Sequence, residues 1–217
     1  FAGLKYFIRL FKLPGFIRAF RNTFFLSIYM FGFGFPIPII LSIMINEVIN
    51  NRVKKAIQTS VILPNFISWV VIGSLLYSIF SPNAGVIRHI ANLVGYKDKV
   101  YDVLTTKETF RAFLVITYIW KNMGMGTIVY LAAITNVDPQ LYEAAEIDGA
   151  GKLRRIWHIT LSSIRPTIII LLIFRVGNLM NVGFEQIFVM SNPIVLEVSE
   201  VLDTYVYKVY NFDISGN

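Results

Sequence analysis

Charge is absent from long stretches of this chain and crowded into the pieces between them. No Asp, Glu, Lys or Arg lies from Thr23 to Asn46 or from Ala56 to Ile87. Residues 112–137 hold one, Lys121, and residues 166–190 hold two, Arg175 and Glu185. A helix needs about 20 mostly apolar residues to cross the hydrocarbon core of a bilayer. Four segments reach that length, which places spans at about 23–46, 60–80, 112–134 and 166–190. The expected fold class is all-α: a polytopic helical membrane protein forming one transmembrane domain over 1–217.

The pieces between the spans have their own pattern. Residues 1–22 read as an amphipathic lead-in. Leu4, Phe7, Ile8 and Phe11 repeat at helical spacing, Lys5, Arg9 and Lys12 take the other face, and Pro14-Gly15 breaks the piece. Such a helix suits a membrane surface, or a cap on the folded protein. Gly32, Gly34, Pro36 and Pro38 sit inside the first span, which should therefore kink or partly unwind. Pro64 lies near the start of the second. Residues 81–111 form a polar connection that opens with turn chemistry at Ser81-Pro82-Asn83-Ala84-Gly85, followed by a short apolar helix at 86–94.

Composition agrees with this pattern. Of 217 residues, 55% are apolar and only 15% charged, against about 25% charged in a soluble domain. The net charge of +7 fits the basic loops of membrane proteins better than nucleic-acid binding, and no nucleic-acid arm is present. The absence of cysteine excludes disulfides, thiolate catalysis and Cys-based metal sites, and His89 and His158 are too few for a His cluster. Trp69 and Trp157 read as interface markers.

The segment between the third and fourth spans, 135–165, carries the most specific signal. Asp138 is a good N-cap and Pro139 a good first helical residue. Leu141, Glu143, Ala144 and Ala145 favour helix, and Gly149 is a natural stop. The spacing predicts one short helix ended by a tight turn, then a second helical stretch from about Gly151 with Lys152, Arg154 and Arg155. A short helix between two spans has no core of its own. Its small residues Ala144 and Ala145 suit a groove on another protein.

Two further runs invite nucleotide readings that fail. Gly151-Lys152 lacks the glycine five positions earlier, where Glu146 stands, and the following Ser or Thr, where Leu153 stands. Gly124-x-Gly126 lacks the third glycine of a dinucleotide fingerprint. No catalytic constellation stands out, so the chain is expected to be a transport subunit rather than an enzyme.

The run Glu143-Ala144-Ala145-x-x-Asp148-Gly149-Ala150, then Ile159-x-Leu161, resembles the EAA loop of binding-protein-dependent ABC importer permeases. The usual Leu-Pro ending is Leu161-Ser162 here. Further landmarks similar to sugar permeases are Gly3-Leu4-Lys5-Tyr6-Phe7, Arg21-Asn22-Thr23, Leu63-Pro64 and Tyr142-Glu143-Ala144-Ala145. Ile119-Trp120-Lys121 and Gly183-Phe184-Glu185-Gln186 resemble the oligosaccharide and polysaccharide-fragment branch. The resemblance covers nearly the whole chain. It implies a MetI-like permease fold in a bacterial plasma (inner) membrane, with the first and last family spans outside this chain. Tyr210 to Asn217 do not resemble the usual entry into a final span.

The resemblance also implies a cytoplasmic loop whose helix docks on a separate ATPase subunit, with Glu143, Ala144, Ala145, Asp148, Gly149 and Ala150 as coupling residues. No cofactor is implied in this chain; ATP and Mg belong to the partner ATPase. The implied partners are a second permease in a heterodimer, ATP-binding subunits, an extracellular sugar-binding protein and membrane lipid, with no nucleic acid.

Charge bias opposes that orientation. The two pieces it puts in the cytoplasm, 47–60 and 135–165, carry seven Lys and Arg, whereas 1–22 and 81–111 carry ten. We follow the loop, because the first span often dominates orientation and is expected outside this chain.

A charge at the bilayer centre costs about 2.5–3.5 kcal/mol on insertion scales, so Lys121, Arg175 and Glu185 each call for a cavity or a partner. Arg175 and Glu185 stand about 15 Å apart along one helix and do not pair with each other. Lys121 with Glu185, across two helices, is one structural reading. The other is a substrate pathway, in which Lys121, Asn122, Asn178, Asn181 and Glu185 bond sugar hydroxyls and Trp120 stacks on a sugar face. An ion-gradient-driven secondary transporter or channel is the alternative function. It explains the charged spans and the broken first span, but not an Ala-rich helix and Gly turn in a loop.

Overall fold

The computed structural model describes residues 3–81, 85–95 and 102–215. Residues 82–84 of the expected turn and 96–101 of the polar connection lie outside the described residues. Every described element is helical. The helices are α1 (Lys5–Leu10), α2 (Pro14–Gly34), α3 (Pro36–Asn46), α4 (Asn51–Ile62), α5 (Trp69–Phe80), α6 (Val86–Leu93), α7 (Lys107–Thr135) and α8 (Pro139–Ile147). They continue as α9 (Lys152–Arg155), a π-helical turn Ile156–Thr160, α10 (Leu161–Ser163), α11 (Arg165–Gly177), α12 (Phe184–Met190), α13 (Leu196–Ser199) and α14 (Leu202–Ser215).

The breaks follow the prolines and glycines. Pro36 has no N–H to continue α2, so α3 restarts there, and Pro14–Asn46 as a whole is long and apolar enough to cross a membrane. α7 also reaches that length. The other two expected spans are not single helices. The second, 60–80, is interrupted after Ile62 by a 3₁₀ turn at Leu63–Phe66. α5 then restarts with the Ser68 hydroxyl accepting from the Val71 N–H at 3.4 Å. Twelve residues of α5 rise only about 18 Å, too short to cross a membrane as one helix. The fourth, 166–190, stops at Gly177 and resumes at Phe184, with Gly183 in the left-handed region. The helical run before it, Lys152–Ser163, meets Arg165–Gly177 at a 62° bend, beside Pro166. The span-length apolar run here is thus the bent pair Lys152–Gly177, which starts and ends before the expected 166–190.

The chain forms two compact units. One comprises Phe31–Phe66 and Ile119–Leu179. Its core gathers Tyr130, Ile134 and Ile164 with Ile39, Ile43, Leu161 and Ile168 around them. Here α7 comes into closest approach with α4: a Cβ on Gly124 would lie 2.3 Å from the Val61 carbonyl oxygen and 2.6 Å from Ile62 Cα. Only glycine fits there.

The other unit comprises Phe1–Met30, Ile67–Tyr118 and Met180–Asn217. Its core includes Ile72, Phe110, Leu114 and Ile187. Polar groups clamp its far segment. Asn22 Nδ2 donates to the carbonyls of Glu197 and Glu200 at 2.9 and 3.0 Å, and its Oδ1 accepts from Arg111 at 2.7 Å. Thr23 Oγ1 accepts from the Leu202 N–H at 2.9 Å. Glu200, only 4% exposed, takes Arg18 at 2.5 Å and Lys208 at 3.2 Å. Nearby, Lys107 hydrogen-bonds Glu197 at 2.6 Å, and that bond and charge hold the Glu197 carboxyl below its ordinary value.

Candidate functional site

The segment 138–163 lies wholly within one unit. The Asp138 side chain caps α8 by accepting from the Gln140 N–H at 2.9 Å, and Pro139 occupies the first turn. The other end closes with two reversed bonds, Gly149 N–H to Glu146 O at 3.1 Å and Ala150 N–H to Ala145 O at 2.8 Å. This pairing needs one left-handed residue, and Gly149 supplies it at φ +73°. Both ends of α8 are thus fixed by local chemistry legible in the sequence.

Successive helical residues turn by about 100°, which sorts α8 into two faces. Glu143, Ala144 and Ile147 are exposed, Ile147 at 87%. Tyr142 and Ala145 are half-buried. The two alanines therefore do not share one outward face; Ala144 opens outward and Ala145 turns in. Asp148 and Gly149 are exposed at the turn and Ala150 is half-buried. Beyond the turn, Leu153 and Trp157 add further exposed apolar surface.

Sequence reasoning missed what lies beneath α8. The Tyr142 hydroxyl meets Thr160 Oγ1 at 2.9 Å, Arg155 pairs with Glu146 at 3.0 Å, and Lys152 pairs with Glu47 at 2.7 Å. The i, i+4 spacing of Tyr142 and Glu146 was the available signal, since it puts both on one face. Asn46, Glu47, Tyr142, Lys152, Arg155 and Ile156 line a cleft of about 230 Å³.

The candidate pathway residues divide between the units. Trp120, Lys121, Asn122 and Asn178 belong to one, Asn181 and Glu185 to the other. Trp120 is exposed, whereas Lys121 is 8% exposed and donates to the carbonyls of Asn65 at 3.0 Å and Pro64 at 3.5 Å. Asn122 is half-buried. Asn178 Nδ2 donates to the Phe174 carbonyl at 3.0 Å, and Asn181 Oδ1 accepts from the Gly183 N–H at 3.4 Å. Glu185 is exposed in the first turn of α12. Among the described residues no group of three or more His, Cys, Asp or Glu is placed to hold a metal.

Two apolar helices of span length, the second followed by a capped helix that shows an open face, mark a membrane-embedded protein. The chain belongs to the family described as binding-protein-dependent transport system inner membrane component, matched over residues 34–212. It is 43% identical over 205 residues to the polygalacturonan/rhamnogalacturonan transport system permease protein YteP of Bacillus subtilis (strain 168), covering 94% of this chain and 63% of YteP. It is 42% identical to protein LplB of the same organism, covering 94% of this chain and 64% of LplB. The chain thus spans just under two thirds of the length of these curated relatives.

Among solved structures, it resembles a bacterial ABC transporter involved in the import of the acidic polysaccharide alginate. The TM-score is 0.91 at 41% identity, over 100% of this chain and 74% of that one. A bacterial alginate ABC transporter in complex with alginate pentasaccharide-bound periplasmic protein matches with TM-score 0.90 at 42% identity, over 99% and 73%. The all-α, MetI-like permease fold expected from the sequence is the fold of this chain.

Proposed function

We propose that residues 1–217 form one permease domain of an ATP-driven importer in a bacterial plasma membrane, crossing it several times. Its cargo is an oligosaccharide cut from an acidic polysaccharide and delivered by an extracellular binding protein. Its partners are a second, similar permease and two ATP-binding subunits that carry ATP and Mg. The observation that carries this reading is α8: a helix fixed at both ends, open on Glu143, Ala144 and Ile147, and set between two candidate crossings. The cargo class rests on the names of the relatives, which concern polygalacturonan, rhamnogalacturonan and alginate. Their shared chemistry is the uronate carboxylate.

The test is purification of the tagged full-length protein from its own organism in mild detergent. Recovery of a P-loop ATPase and a second permease, with the ATPase lost when Glu143 and Gly149 are changed, supports the reading. Recovery of this chain alone, with uptake that survives ATP depletion and collapses with an ionophore, overturns it in favour of a gradient-driven carrier.

A further inference from the structure

We propose that two polar ties beneath α8 pass its movement to the membrane helices: Tyr142 to Thr160, and Lys152 to Glu47. The inference rests on the reading of α8 as the helix that meets an ATPase subunit. It concerns residues behind the meeting surface, which act as positioning residues.

A helix that is to deliver a push must not deform under it. The Asp138 cap and the closed turn at Gly149 make α8 a short stiff piece. It must also be connected to what it moves. Side chains of a packed core would make that connection by shape. Here the space between α8 and the helix after it is instead a cleft of about 230 Å³ bordered by Tyr142, Lys152, Arg155 and Glu47. Polar contacts bridge what apolar packing does not fill.

The stronger tie is the hydroxyl pair. Thr160 is 3% exposed and closes the π-helical turn Ile156–Thr160. Such turns are rare and recur at functional sites. From Thr160 the chain runs directly into α10 and α11, past Ile164, which is buried against Tyr130 and Ile134 of α7. A displacement of Thr160 therefore reaches α11 through the backbone and α7 through the core. The second tie ends on Glu47, the residue that caps α3. It extends the connection to the first crossing.

Magnitudes rank the two. An exposed ion pair biases a two-state balance by no more than about fivefold, and Lys152 is well exposed. A partly buried hydroxyl bond is worth about two- to tenfold. Tyr142–Thr160 is thus the principal tie. The Glu146–Arg155 pair, on an exposed glutamate, adds to the weaker class.

The experiment uses the full transporter in nanodiscs, with a spin label at Ile173→Cys. Residues 1–217 contain no cysteine, and Ile173 is an exposed residue of α11. ATP with Mg is the probe. In the parent, ATP changes the label's spectrum and the ATPase co-purifies. Tyr142→Phe and Thr160→Val should each leave the ATPase bound and hydrolysing while the change at Ile173 falls about two- to tenfold. The double variant should be no worse than either single, and Thr160→Ser should restore the parent response. Exchanging the charges, Glu47→Lys with Lys152→Glu, should recover what either single change loses.

A full response at Ile173 in Tyr142→Phe overturns the proposal. So does loss of the ATPase from that variant, which would put Tyr142 in the meeting surface itself. Failure of the ATPase to co-purify with the parent overturns the functional reading beneath both.

Discussion

The ammonium nitrogen of Lys121 lies 3.0 Å from the carbonyl oxygen of Asn65, within the 3₁₀ turn that ends the run from α4. Carbonyls at the end of a helical run have no partner of their own, and Pro64 and Ser68 prevent the chain from continuing the helix to supply one. A cation set against them is favourable both as a donor and as a charge at the negative end of a helix. One turn further along α7, Gly124 lets the same helix touch the Val61 carbonyl region. Lys121 and Gly124 together seat the end of the α4 run against α7. This gives a buried lysine a structural task that needs no substrate.

Lys121→Met should therefore act on stability. It leaves the buried Pro64 carbonyl and the half-buried Asn65 carbonyl without this donor, at a cost of about 1–3 kcal/mol. The melting midpoint in detergent should fall, and Lys121→Arg should fall less. If Lys121 instead binds a sugar carboxylate, the melting midpoint should hold while uptake affinity for acidic sugars drops and that for neutral ones is spared.

Gly124 and Gly149 should respond to the same change to very different degrees. A methyl group at Gly124 collides with backbone, so Gly124→Ala should lose most of the folded protein, read by size-exclusion in detergent. Gly149 has open space around it but sits at φ +73°. Gly149→Ala should cost about 1–2 kcal/mol of local strain and leave the protein in the membrane. A β-branched residue there, as in Gly149→Val, should uncouple uptake from ATP hydrolysis without removing the protein. Unimpaired uptake in that variant would count against the coupling role.

Glu200→Gln tests the clamp around Asn22. The amide keeps the shape and removes the charge that faces Arg18 and Lys208. Both cations are more than a third exposed, so solvent absorbs part of the loss, and about 1–3 kcal/mol is expected. Proteolysis within 191–202 should accelerate, because that segment is what the clamp holds. Unchanged cleavage would show that Asn22 and Thr23 suffice.

The Lys107–Glu197 pair predicts a small acid sensitivity. The folded-state carboxyl titrates below its unfolded value, so the pair's contribution is present above the unfolded glutamate range. It fades as pH falls through the folded value, because the unfolded chain takes up the proton first. Lys107→Met should return the Glu197 titration toward the ordinary range, measured by carboxyl NMR on labelled protein. No movement of that titration would mean that Lys107 is not its cause.

The local grammar of the segment 138–150 was readable from the chain. Asp138, Pro139 and Gly149 act within a few residues of one another, and their capping bonds form wherever the segment sits. The apolar runs were equally readable, since the absence of charge is a property of composition. Hydropathy does not report backbone continuity, however. Residues 60–80 and 166–190 are both mostly apolar, yet Pro64 and Ser68 break the first, and Gly177 and Gly183 break the second. A break of this kind survives only where something else satisfies the freed backbone groups, and for the turn at Leu63–Phe66 that partner is Lys121, some 57 residues away.

The helicity of this chain, its four span-length apolar segments and the capped helix between the last two could all be read along the chain. Those features depend on neighbours in the chain and on transfer free energy, and both act residue by residue. Which polar groups meet is set by the fold: Lys121 with Asn65, Tyr142 with Thr160, Asn22 with Glu197 and Glu200. Such bonds need atoms brought within about 3 Å from distant parts of the chain, and packing alone sets that approach.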